Sequence, residues 1–176
     1  MATRLHRFGD SFSCKTACKQ PIRTLCAGCV LLAVLTAGCS RHTGSESAPA
    51  ACTDGSPATR VATLRAALAH APAPVRLGDG TSISDCLAHD ADSGDIQNVG
   101  SMLLSVTQQI VDSARGPQDA KALLELGYLA GAVRRGAAHA QGVDGEIERR
   151  IDQELETVDT AAPSFARGER AGRASG

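Results

Sequence analysis

Five side chains that could bind a metal ion or act in acid–base catalysis lie within eleven residues of one another: Asp85, His89, Asp90, Asp92 and Asp95. Asp85 and His89 are four residues apart, so they would lie on the same side of a helix. The stretch that starts at Asp90 departs from the helix–loop–helix calcium pattern, because Gly94 occupies a ligand position and Ser101 stands where a Glu is required. Zinc would need a second nitrogen or sulfur ligand nearby, and none is visible apart from Cys86, which we expect to be structural. We therefore predict a loop whose Asp and Ser residues cap helices, with no metal and no cofactor.

Four arginines could form an anion-binding site: Arg134, Arg135, Arg149 and Arg150. A turn near Gly142 would bring the helices before and after it side by side, with the two pairs at about the same level. Guanidinium groups bind lipid headgroups and other anions through paired hydrogen bonds. The alternative is neutralisation of these arginines in surface ion pairs with the acidic residues Glu146, Glu148, Asp152 and Glu154.

The N-terminus has the three-part pattern of a secretory signal. Five basic residues, Arg4, Arg7, Lys15, Lys19 and Arg23, stand against Asp10. Residues 25–37 follow as a run of 13 without a charge. A membrane span needs about 20 residues, so this run is too short to be one and matches the apolar region of a signal peptide.

The peptide Leu35-Thr36-Ala37-Gly38-Cys39 ends this run. It resembles the lipobox of bacterial lipoproteins. The resemblance implies cleavage before Cys39 and attachment of a diacylglyceryl group to the Cys39 thiol, with palmitate among the acyl chains of the anchor. It also implies that the mature protein is held on the exported face of the cell membrane.

The seven cysteines divide around Cys39. Four lie upstream, namely Cys14, Cys18, Cys26 and Cys29. Their spacing is compatible with a metal site, but we expect them to be removed with the signal peptide. Cys52 and Cys86 are the two that remain besides the lipid carrier. An even pair in an oxidising compartment predicts one disulfide, worth about 3 to 4 kcal/mol for a loop of roughly 35 residues.

Removal of residues 1–38 changes the charge balance. It leaves 13 basic and 18 acidic residues, a net charge of −5. Aromatic residues make up only 2% of the chain, with no Trp. Nucleic acid is therefore excluded as an expected partner, because both the positive charge and the stacking surfaces are missing. The expected partners are the membrane, through the anchor, and an envelope protein or an anionic ligand.

Signatures of nucleophilic or phosphate chemistry are absent from the chain. It contains no Gly-x-Ser-x-Gly, His-Glu-x-x-His or Gly-x-x-x-x-Gly-Lys motif. We therefore expect a binding or interaction module of the cell envelope with no catalytic residue. The alternative is an exported hydrolase or metal-dependent enzyme that uses Asp85, His89, Asp90 and Asp92.

Apolar residues recur at helical spacing beyond residue 56, without a convincing strand. The clearest stripe is Ile96, Val99, Leu103, Val106 and Ile110. Two further long helices are predicted over 118–140 and after Gly142, with a shorter pair beginning at Ser56 and near Ile83. The expected fold is all-α, a small antiparallel bundle of three long helices plus the shorter pair, which the disulfide would staple.

Gly127 and Gly131 lie four residues apart in the second long helix, a spacing that permits close helix contact. Glu125, Arg134 and Arg135 exclude a membrane span there. We predict a seam of small residues between two helices outside the bilayer.

The expected domain organisation has four parts. Residues 1–38 form the lipoprotein signal peptide, and residues 39–51, small and polar, form a lipidated flexible tether. Residues 52–160 form the helical domain. Residues 161–176 show no apolar stripe and are expected to be a disordered tail.

Overall fold

The computed structural model describes residues 47–87, 92–115, 119–139 and 142–176. The α-helices in chain order are α1 (Ala50–Thr53), α2 (Pro57–Leu68), α3 (Ser93–Ala114), α4 (Ala120–Gly136), α5 (Val143–Leu155) and α6 (Pro163–Ser175). In the same described residues, 3₁₀ turns lie at Gly78–Gly80, Ser84–Leu87 and Ala137–His139. The described residues contain no strand, and the all-α prediction is confirmed. The predicted signal peptide, Cys39 and residues 40–46 of the tether lie outside the described residues.

Polar side chains cap the first turns of three helices. Ser56 accepts a hydrogen bond from Thr59 N at the start of α2, where Pro57 is the first helical residue. Asp92 caps α3 and Asp119 caps α4 in the same way. These side chains bind backbone N–H groups that have no partner within the helix.

The hydrophobic core lies along the apolar stripes of the long helices. All five residues of the α3 stripe are buried, and so are Ile147, Ile151 and Leu155 of α5. Large aromatic side chains are few, but Tyr128 and Phe165 are both buried. Aliphatic packing therefore supplies most of the core, as the composition indicates.

The Cys52–Cys86 disulfide is present, which confirms the predicted pairing. Its place in the fold differs from the expectation, which was that it links the two shorter helices beginning at Ser56 and near Ile83. Cys52 belongs to the single-turn helix α1, and Cys86 to the 3₁₀ turn Ser84–Leu87, so α2 is not part of the link. Four residues are too few for a stable isolated helix, so the covalent bond and burial hold α1 in place.

The folded domain begins earlier than the predicted boundary at residue 52. Ala48 is buried, and its N–H donates to the Asp95 carboxylate at 3.2 Å. The end of the predicted tether is therefore part of the domain, because a long-range contact with α3 orders it.

The prediction of a disordered tail over residues 161–176 is wrong. Pro163–Ser175 forms α6, which packs along α4 and buries Phe165. The segment has only one large apolar residue, Phe165, because its contact with α4 runs mainly through glycines. Gly168 and Gly172 of α6 are buried at that contact.

The two backbones approach closely along this seam. A Cβ added at Gly127 or Gly131 would lie 2.2 Å from a carbonyl oxygen of α6. One added at Gly168 or Gly172 would lie 2.0 or 2.1 Å from a carbonyl oxygen of α4. The predicted small-residue seam at Gly127 and Gly131 is therefore present, with α6 as its partner.

The contacts also give the direction of two helix pairs. Gly127 faces Phe165 and Gly131 faces Glu169, so α4 and α6 run parallel. In the same way, Gly100 faces Ile147 and Gln108 bonds Glu154, so α3 and α5 run parallel. Within the described part of the chain, no helix is both long and apolar enough to cross a membrane.

Candidate functional site

Asp85 is held by the turn in which it lies. Its Oδ2 accepts a hydrogen bond from Ser82 N at 2.9 Å. Burial acts to raise the pKa of Asp85, but the Ser82 hydrogen bonds and the charges of Arg76 and Arg135 outweigh it, and the pKa lies below its ordinary value. The carboxylate therefore stays ionised and structural rather than poised to donate a proton.

Two further acidic residues of the cluster bind backbone groups at different places. Asp92 Oδ1 accepts from Gly94 N at 2.7 Å, which confirms its role as a helix cap. Asp95 accepts from Ala48 N. The carboxylates thus serve separate contacts that hold the start of α3 and the start of the domain.

The remaining two members, His89 and Asp90, lie outside the described residues. Among the residues that the structure describes, no three His, Cys, Asp or Glu side chains come together as a metal ion would require.

Arg149 and Arg150 share one partner, Glu146, on the exposed side of α5. Arg149 Nη2 and Arg150 Nε lie 2.7 and 2.8 Å from Glu146 Oε1. Hydrogen bonds from both arginines lower the pKa of Glu146 to about 2. This is the ion-pair arrangement that the sequence offered as the alternative to anion binding.

Arg134 is the centre of a second ion-pair network, which joins three helices. Its guanidinium contacts Asp152 of α5 and Glu169 of α6, each at 2.6 Å, and Glu148 of α5 at 3.8 Å. Burial acts to lower the pKa of Arg134, but Asp152 and Glu169 outweigh it and raise the pKa. Arg134 is therefore a cross-link of α4, α5 and α6, and Arg149 and Arg150 belong to a different network.

Arg135 points to the end of α6 instead. Its Nη1 donates to the carbonyl oxygen of Ala174 at 2.7 Å, and Arg76 Nη1 donates to that of Ser175 at 2.9 Å. Two cations thus meet the last carbonyls of the helix, where the backbone dipoles are negative. Because these acceptors are neutral, neither arginine is neutralised by its hydrogen bond.

A group of four exposed arginines gathers around α6, and we call it the α6 arginine face: Arg76, Arg135, Arg167 and Arg170. Only Arg135 was among the anion-binding residues predicted from the sequence. The spacing of Arg167 and Arg170 would have indicated the face, had residues 161–176 been recognised as a helix. The position of Arg76 follows from tertiary structure alone.

A buried carboxylate, Glu125 of α4, was also missed. Its side chain is 3% exposed; it forms a salt bridge with Arg65 of α2 and lies 3.8 Å from Lys121. It borders a shallow groove whose α2 wall is rich in alanine. Arg65 lies sixty residues away in the chain, so local patterns do not reveal this pair. The result is an ion pair between a buried carboxylate and a half-buried arginine, and it ties α2 to α4.

No family model, curated protein or solved structure matches this chain.

Proposed function

We propose that the chain is the precursor of an exported bacterial lipoprotein, cleaved before Cys39 and held on the exported face of the cell membrane by lipid on that cysteine. The observation that carries the proposal is the order of features in residues 1–39. Five basic residues precede a run of 13 uncharged residues, and small residues lead directly to Cys39. Two or more acyl chains on one cysteine anchor a protein stably to a membrane, whereas a single chain gives only marginal binding.

The disulfide supports export. Structural disulfides persist in oxidising compartments outside the cytoplasm, where thiols are not kept reduced. The bond between Cys52 and Cys86 uses both cysteines that lie beyond Cys39. Cys39 is then the only cysteine of the proposed mature chain left to accept a lipid.

Behind the anchor we propose an antiparallel bundle in which consecutive long helices alternate in direction. The parallel pairs α3 with α5 and α4 with α6 support this order, because helices separated by one other helix run the same way in an up-and-down bundle. Such a domain would act as a binding or interaction module of the cell envelope. It needs only a rigid body with one adhesive surface close to the membrane.

The anchor is tested by comparing two cysteine variants of the full chain, produced in a bacterium that processes lipoproteins. Cys39→Ala removes the proposed lipid acceptor, and Cys29→Ala makes the same chemical change in the proposed signal peptide. We expect the unsubstituted protein and the Cys29→Ala protein to enter the detergent phase. Each should have the mass of a diacylated chain that starts at residue 39. Detergent-phase partitioning of Cys39→Ala equal to that of Cys29→Ala would refute the proposal.

A further inference from the structure

The outer side of α6 is a strip of positive charge. At 100° per residue, Arg167, Arg170 and Ala174 fall within about 60° of one another around the helix axis, on the side opposite Gly168 and Gly172. Among the described residues, Arg167 and Arg170 form neither a hydrogen bond nor an ion pair. Both guanidinium groups are therefore available to a partner.

Arg76 and Arg135 extend this strip at the C-terminal end of α6. Their hydrogen bonds to the carbonyls of Ser175 and Ala174 fix them there without neutralising them. With a rise of about 1.5 Å per residue, the distance from Arg167 to Ala174 is roughly 10 Å. Two positive charges thus lie on the outer side of α6, and two more lie at its C-terminal end.

The strip stands out from an acidic molecule. From residue 39 onward the chain has 13 basic and 18 acidic residues, a net charge of −5. The α6 arginine face holds four of the basic residues. Asp85 is counted with this face, because the charges of Arg76 and Arg135 help to lower the pKa of its carboxylate. The rest of that chain therefore has nine basic and seventeen acidic residues, a net charge of −8. Positive charge is concentrated on this one face.

The start of the folded domain lies near this face. A Cβ at Gly78 would be 3.9 Å from the Ala51 side chain of α1, and Arg76 lies two residues before Gly78. The Cys52–Cys86 bond ties α1 to the turn in which Ser84 donates to the Gly176 carbonyl oxygen. The first helix of the domain and the end of α6 are therefore held by the same segment, residues 76–86.

A lipid on Cys39 would bring the face to a membrane surface. Seven residues lie between Cys39 and Ser47. The eight Cα–Cα steps from one to the other span at most about 28 Å. Asp79, in the 3₁₀ turn Gly78–Gly80, follows Arg76 by three residues and adds a negative charge near the C-terminal end of α6. Contact along the length of α6 would therefore place the most positive charge against the bilayer.

We infer that the α6 arginine face docks the domain onto anionic lipid headgroups, with α6 lying along the membrane surface. The inference rests on the proposed lipid anchor, which would supply the bilayer at a short distance. Arginine suits this partner because its guanidinium group binds phosphate oxygens with two hydrogen bonds. The acidic remainder of the domain would be repelled from the same lipids, which sets the orientation.

The test uses the chain from residue 39 onward with its disulfide formed and Cys39→Ser, so that no acyl chain contributes. Binding is measured by flotation with vesicles of phosphatidylcholine containing 30% phosphatidylglycerol, and with phosphatidylcholine alone, at low salt. The double variant Arg167→Gln/Arg170→Gln removes two charges that have no partner to lose, so its fold is preserved. We expect its partition coefficient on anionic vesicles to fall about 25-fold, roughly fivefold for each arginine.

The matched control is Arg149→Gln/Arg150→Gln, which makes the same change of charge on α5. We expect it to bind anionic vesicles within about threefold of the unsubstituted chain, and we expect neutral vesicles to bind none of the proteins. Equal losses in both double variants, or equal binding to neutral and anionic vesicles, would overturn the inference. Self-association of the unsubstituted chain that the α6 variant abolishes would also overturn it, since a second copy would then occupy the face. Acylation is absent from this assay, so its failure is distinct from failure of the Cys39 proposal.

Discussion

Replacing Gly172 with Ala should destabilise the domain, although Ala is normally the better helix former. The substitution adds one methyl group in the last turn of α6, on the side that faces α4. Its ideal position is 2.1 Å from the carbonyl oxygen of Tyr128 and 2.9 Å from the N of Ala132. Both are backbone atoms, so a change of rotamer cannot remove the clash.

The magnitude follows from the separation that the methyl group requires. Ordinary contact begins at 3.4 Å, so α6 must move away from α4 by about 1.3 Å at this point. Overpacking a tight contact costs about 1 to 3 kcal/mol, and rigid backbone on both sides places Gly172 at the upper end of this range. The better helix propensity of Ala returns about 1 kcal/mol. We expect a net loss of about 2 kcal/mol, or roughly 8 °C in Tm for a domain of this size.

Urea unfolding followed by circular dichroism measures this loss, with Gly145→Ala as the matched control. Gly145 lies inside α5, and a Cβ there meets nothing within 4 Å. The control should gain about 0.5 to 1 kcal/mol, so one chemical change should have opposite signs at the two sites. If Gly172→Ala is as stable as Gly145→Ala, α6 does not pack on α4 as described. Faster tryptic cleavage at Arg167 and Arg170 in Gly172→Ala would locate the damage in α6.

Three further outcomes are expected. Replacing both Cys52 and Cys86 with Ala should lower the free energy of unfolding by about 4 kcal/mol, from the 34-residue separation in the chain-entropy model, and an unchanged urea midpoint would contradict this. Tyr128→Phe should lower the free energy of unfolding by about 1 to 3 kcal/mol, because the buried N–H of Val75 donates to the Tyr128 hydroxyl at 2.9 Å and would lose its acceptor. A loss of stability below about 0.5 kcal/mol in thermal unfolding would disprove that role. Burial acts to raise the pKa of Glu169, but the interactions with Arg173 and Arg134 outweigh burial and lower the pKa below its ordinary 4.5. The ionised carboxylate therefore stabilises the folded domain above pH 4.5, and this stabilisation is lost as the pH falls through the lowered pKa. Glu169→Gln should therefore show a smaller fall in Tm between about pH 6 and pH 3 than the unsubstituted domain, and an equal fall would rule out the contribution.

Much of the helical architecture could be predicted because its signals are local. The α3 stripe repeats at three and four residues, so one side of that helix must be buried wherever it packs. Ser56 before Pro57 marks the start of α2, and Asp92 marks the start of α3, because these side chains satisfy N–H groups within their own first turn. The Cys52–Cys86 pair followed from the number of cysteines left beyond Cys39.

The candidate sites could be predicted only in part, because ion pairs depend on partners far away in the chain. Arg134 was grouped with Arg149 and Arg150 on the basis of their distance from a turn. The packing of α6 supplies Glu169 as a partner for Arg134, and Glu146 binds the other two. Long charged side chains choose among several acceptors within reach, and the sequence does not say which of these the fold brings near.

The sequence by itself determined the secondary structure class, the starts of α2 and α3, the disulfide and the small-residue pattern at Gly127 and Gly131. Only the tertiary structure decided that α6 exists as a packed helix, since contact through glycines leaves no stripe of large apolar residues to recognise. It also decided where positive charge is exposed. Arg134 is neutralised by carboxylates between helices, whereas its neighbour Arg135 donates to the neutral carbonyl of Ala174. Periodicity encodes which side of a helix is buried, whereas the identity of the element that covers that side depends on how the whole chain packs.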